Sequence, residues 1–87
     1  MDNEELYKLL GYVKISPYRT KTLKSLSDGL KMPSEIAKEN NLKTSQVSSA
    51  LSDLKKKQLV ICVNEDVRKG RLYKCTDLGL RLIKILN

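Results

Sequence analysis

Residues 33–60 read PSEIAKENNLKTSQVSSALSDLKKKQLV, two short amphipathic runs hinged on a pair of asparagines. Proline is at home in the first turn of a helix, where its missing N–H would have had no partner, so Pro33 marks a start. Glu35, close behind, suits the positive end of the helix. Ile36 and Ala37 supply a small apolar face, and Asn40-Asn41 stops the run, because asparagine tolerates the positive φ that ends helices. A second helix starts at Thr44, whose hydroxyl is placed to cap it. It carries Val47, Ala50, Leu51 and Leu54 on one stripe, with Ser45, Gln46, Ser49, Ser52, Asp53 and Lys56 on the other side. Two helices joined by so tight a turn, Asn40 to Lys43, have the form of a helix-turn-helix.

Upstream, Leu6, Leu9, Leu10 and Val13 recur at helical spacing and predict a helix over about 3–14. Ser16-Pro17 opens another, burying Leu23 and Leu26 and running to about Ser27 before Asp28-Gly29. Downstream the period changes. Leu59 to Val63 is β-branched, Asn64 to Gly70 is turn-forming, and Leu72 to Cys75 returns as a strand, which together make a hairpin. Thr76-Asp77 then caps a last helix over about 77–86. The order helix, helix, helix, helix, strand, strand, helix predicts a mainly α chain with a small β-hairpin (α+β). This is a winged helix-turn-helix in a single domain, 1–87.

The chain has 87 residues, 17 Lys and Arg against 10 Asp and Glu, and no histidine, tryptophan or phenylalanine. A net charge of +7 on so short a chain attracts polyanions, nucleic acid foremost. No histidine, no glycine-rich phosphate loop and no nucleophile paired with a base argue against an enzyme, and two cysteines cannot hold a structural zinc, so no cofactor is expected. No apolar run approaches the roughly 18 residues of a membrane span, and a soluble, cytoplasmic chain is expected. Cys62 and Cys75 fall on the two strands as reduced, small hydrophobes, although one hairpin register would set them across from each other for a disulfide.

The positive excess is concentrated in residues 16–32 (+3), 43–58 (+3) and 59–75 (+2). B-DNA's major groove admits one α-helix, so a recognition helix over about 44–57 would present Thr44, Ser45, Gln46, Ser49, Ser52 and Lys56 to it. Gln46 is the best base reader, since a carboxamide can donate and accept in one plane as adenine requires. The hairpin tip, Arg68, Lys69, Gly70 and Arg71, would reach flanking phosphate or the adjacent minor groove, and Arg19, Lys21 and Lys43 would add phosphate contacts. The double-stranded DNA reading competes with a bland one, in which these are solvated surface charges.

The stretch quoted first resembles the helix-turn-helix of winged-helix transcriptional regulators, including the MarR-like group. KGRLYKCTDLG, residues 69–79, is similar to their second wing strand and the start of their last helix. SPYRTKTL and LVICVN are similar to short regulators of archaeal type. The resemblance covers about 16–79 and implies a sequence-specific DNA-binding regulator. Ser49 stands where such proteins often carry Arg or Lys, Asp53 adds a negative charge near the expected phosphate path, and Asn41 and Gln58 stand where glycine is usual.

The aliphatic surplus of the terminal helices points to a homodimer, with Leu6, Leu10, Val13, Leu82, Ile83 and Leu86 at its interface. Two recognition helices would then meet half-sites about 34–36 Å apart. The competing arrangement packs these helices on each other within one subunit. A competing function uses the same fold as a protein-binding adaptor for an acidic partner.

Overall fold

The computed structural model describes residues 2–86. Five helices, α1 (Asn3–Lys14), α2 (Pro17–Ser25), α3 (Pro33–Asn40), α4 (Thr44–Lys56) and α5 (Asp77–Leu86), surround a hairpin of β1 (Val60–Cys62) and β2 (Tyr73–Cys75) that follows α4. The fold is therefore a winged helix-turn-helix, mainly helical, in the expected element order. α2 ends two residues earlier than expected. A 3₁₀ turn, Leu26–Asp28, takes over and delivers the chain to Gly29, whose φ of 135° only glycine adopts readily.

The strands pair antiparallel in the register Val60 with Cys75, Ile61 with Lys74 and Cys62 with Tyr73. The two cysteines are thus offset by one pair instead of facing each other, and both are free thiols. A third, one-residue strand escaped the sequence reading. Lys31 exchanges both backbone hydrogen bonds with Tyr73, at 3.1 and 2.9 Å, and so ties the segment before α3 to the wing. Its side chain is held as well, because Lys31 Nζ lies 3.1 Å from Asp28 and 2.9 Å from Glu39. Burial pushes the Lys31 ammonium down, but hydrogen bonds and charge from Glu39 and Asp28 outweigh it and raise the group above its ordinary value.

The stripe on α4 forms the centre of the core. Val47, Leu51 and Leu54 are buried against Leu23 and Leu26 of the α2 region, Ile36 and Ala37 of α3, Leu59 and Val60 at the wing base, and Leu82 and Ile83 of α5. Each large aliphatic removed from water contributes about 1.5–3 kcal/mol, so this stripe fixes the rotation of α4 and decides which residues face outward.

Both helices of the helix-turn-helix end in the same way. Asn41 (φ 54°) and Gln58 (φ 59°) are left-handed. Beyond them Leu42 N–H donates to the Ala37 carbonyl (2.8 Å) and Leu59 N–H to the Leu54 carbonyl (3.0 Å), in each helix the longer-range bond of a Schellman motif. Asn40 itself stays helical and joins α3 to α2, its Nδ2 donating to Ser25 Oγ at 2.6 Å. At the far end, Thr76 Oγ1 donates to the Gln58 carbonyl (2.7 Å) and accepts from Gly79 N–H (3.1 Å), capping α5. Gly79 is required there, since a Cβ would lie 2.1 Å from the Leu59 carbonyl oxygen.

Candidate nucleic-acid interface

The outward face of α4 is flanked by two clefts. The larger, about 580 Å³, lies between α4 and the wing. Thr44, Ser48, Ser52 and Lys55 line it from α4, Pro33 and Ser34 from the start of α3, and Arg68, Lys69, Gly70 and Arg71 from the wing tip. Four cations and no carboxylate border it. The spacing Thr44, Ser48, Ser52, Lys55 is one helical row, and short serines along it let a partner approach the helix axis.

The wing tip is built by its own polar side chains. Asn64 Oδ1 accepts from Leu72 N–H (2.8 Å) while its Nδ2 donates to the Gly70 carbonyl (3.1 Å), closing the loop. Arg71 folds back, with Nε donating to the Val67 carbonyl at 2.7 Å and Nη2 to the Glu65 carbonyl at 3.2 Å. Gly70 turns the chain with a φ of 74°. Lys55, near the end of α4, forms an ion pair with Glu65, bracing the wing against the helix. Arg68 and Lys69 are exposed and take part in no salt bridge among the described residues. Arg71 is accordingly the clamp of the tip, and Arg68 and Lys69 are its free charges.

The smaller cleft, about 240 Å³, lies between α4 and the start of α2, lined by Ser16, Tyr18, Ser45, Gln46, Ser49, Ala50 and Asp53. Here two expectations change. Thr44 does not cap α4. The Gln46 carboxamide does so from inside the first turn, its Oε1 accepting from Lys43 N–H at 3.0 Å, and its Nε2 donates to Tyr18 Oη at 3.1 Å. Arg19, expected as a phosphate contact, is already engaged: Nε and Nη2 bind Asp53 Oδ2, Nη1 donates to the Tyr12 carbonyl at 2.8 Å, and the guanidinium stacks 4.0 Å over the Tyr12 ring. The same pairing neutralises Asp53.

The expected site residues are therefore divided. Thr44 and Ser52 border the wing cleft, and Ser45, Gln46 and Ser49 border the α2 cleft. Lys56, Lys21 and Lys43 are exposed outside both. Ser34, Ser48 and Tyr18 carry no expectation from the sequence, and Lys55 only that of a charged helix end. Ser48 had a readable signal, since it lies four residues from both Thr44 and Ser52. Ser34 and Tyr18 come from other helices and had none. Of the residues expected at a dimer interface, Val13, Leu82 and Ile83 are buried in the subunit's own core and offer a partner no surface. Leu6, Leu10 and Leu86 remain partly exposed. Among the described residues no helix is long and apolar enough to cross a membrane, and no group of three or more acidic, cysteine or histidine side chains could hold a metal.

The fold is of the winged-helix class, and solved structures share it. TubR from Bacillus thuringiensis serovar israelensis, bound to 24 bp of tubC, superposes with a TM-score of 0.79 at 10% identity, over 93% of this chain and 90% of that one. Reduced HlyU from Vibrio cholerae gives 0.74 at 19% identity, covering 97% and 87%. A double mutant of Lactococcus lactis ZitR gives 0.72 at 17% identity over 82% of this chain, which spans only 49% of that one. No family model and no curated protein matches the sequence.

Proposed function

We propose that this chain is a sequence-specific, double-stranded DNA-binding transcriptional regulator, MarR-like and of archaeal type, that acts in the cytoplasm as a homodimer. The observation that carries the reading is the cleft between α4 and the wing. With a recognition helix in the major groove and a wing at the neighbouring minor groove, the sugar-phosphate strand that separates the two grooves must run between them. That position is the cleft bordered by Lys55, Arg68, Lys69 and Arg71, with the serine row of α4 on its wall. The likeness in fold to TubR, itself bound to 24 bp of tubC, supports DNA as the partner. Half-covered Leu6, Leu10 and Leu86, with Leu80 and Ile85 exposed at 39% and 45% on α5, favour a two-fold contact through the terminal helices.

Selection of bound sequences from a random duplex pool tests this reading. A pseudo-palindrome with half-sites about one helical turn apart is expected. Affinity should fall with salt, with a log–log slope of about −2 to −3 per subunit for Arg68, Lys69 and Arg71, the cleft cations that no carboxylate holds. Salt-insensitive association with an acidic protein, and none with any duplex, would instead establish the adaptor reading.

A further inference from the structure

The smaller cleft holds a hydrogen-bonded pair that the docking above leaves unused. Gln46 Oε1 is turned back on the helix's own first turn, accepting from Lys43 N–H at 3.0 Å. Its Nε2 gives one proton to Tyr18 Oη at 3.1 Å and keeps the other. Because Tyr18 accepts in that bond, its own O–H proton remains to be donated, and no acceptor among the described residues takes it. The pair therefore presents two donors side by side on the groove-facing side of α4, with Tyr18 reachable at 42% exposure.

We infer that Tyr18 and Gln46 form a two-donor reading head that selects guanine in the major groove, with Tyr18 a specificity-determining residue. Guanine offers two neighbouring acceptors there, N7 and O6, whereas adenine pairs its N7 acceptor with an N6 donor. Against this head adenine would leave the Tyr18 proton without an acceptor, and its amino group would have to share the oxygen that Gln46 Nε2 already occupies, which disfavours adenine. The preference expected of Gln46 alone is thereby reversed by its neighbour.

Two donors could equally meet phosphate oxygens, but the cleft argues against that. No cation lines it, and its one acidic residue, Asp53, is already paired with Arg19, whereas the free cations lie in the other cleft. A neutral base edge fits where no unpaired cation is present to hold a phosphate.

This inference rests on the DNA-binding reading, and the test separates the two. Wild type, Tyr18→Phe and Gln46→Glu are compared on duplexes from the random-pool selection, with each guanine exchanged for adenine in turn. Glutamate keeps the acceptor that Lys43 N–H needs, and thermal unfolding checks that both variants fold. Wild type should prefer guanine at one position per half-site by about tenfold. Tyr18→Phe should bring that preference to within a few-fold while leaving the salt slope and random-duplex affinity unchanged, and Gln46→Glu should shift it toward cytosine. A guanine preference that survives Tyr18→Phe overturns the inference, as does equal weakening on every duplex, which would mean a phosphate contact. A selected site without a discriminated guanine overturns it and leaves the regulator standing. Absence of binding to any duplex overturns both.

Discussion

Arg19 lies across Asp53, with Nε and Nη2 each 3.2 Å from the same carboxylate oxygen. The pair joins α2 to α4 beside the candidate interface and also engages Tyr12 of α1, so three helices are set in register by one guanidinium. Both side chains are partly screened from solvent, at 21% and 28% exposure, which gives the bond more weight than an ordinary surface pair. Asp53→Asn should lower stability by about 1–2 kcal/mol in urea unfolding. It should also strengthen random-duplex binding and steepen its salt slope by about one, because a cation is released and an anion removed. Stability and affinity moving in the same direction would contradict the assignment.

The wing separates charge from scaffold. Arg68→Ala with Lys69→Ala should weaken binding to all duplexes and flatten the salt slope by about two, with hydrogen exchange across residues 64–72 unchanged. Arg71→Ala should accelerate exchange in that loop, because it removes the donors that hold the Glu65 and Val67 carbonyls. Equal exchange in the two variants would show that Arg71 is not the clamp.

Two backbone positions have opposite expectations. Gln58 carries a side chain in the left-handed region, which costs about 1 kcal/mol, so Gln58→Gly should raise stability by about that amount. Gly79→Ala should lower it by about 1–3 kcal/mol, since its methyl would strike the Leu59 carbonyl. Chemical denaturation of both variants checks the pair.

Burial pushes the Cys75 thiol from its ordinary 9.0 up to about 11, because a thiolate would have to sit in the apolar core. The native state then holds this proton more tightly than the unfolded chain. The stability it contributes is complete below pH 9 and is lost as pH rises from 9 to about 11. Urea midpoints across that window should fall further in wild type than in Cys75→Ala. In the native protein a thiol reagent should label half-buried Cys62 first and reach Cys75 only on unfolding.

Local chemistry carried the helix starts and stops. Ser16-Pro17, Pro33, Asn41, the Thr44 boundary and Thr76-Asp77 all lie where the structure begins or ends a helix, because caps and φ preferences act over one turn. Periodicity likewise identified Val47, Ala50, Leu51 and Leu54 as the buried stripe of α4, and with it the outward face. The hairpin was readable too, though not its third partner, since a single residue such as Lys31 has no period to read.

What a side chain does on that outward face was a different matter. Arg19 and Gln46 look like free recognition residues along the chain, yet their partners are Asp53, 34 residues away, and Tyr18, 28 residues away. Val13, Leu82 and Ile83 look like surplus for a partner and are consumed by the subunit's own core. Spacing along a helix settles which way a residue points. Which group it meets there depends on helices brought together by burial, and only the packed chain decides whether a charge stays free, an amide is already oriented, or an aliphatic still has surface to offer.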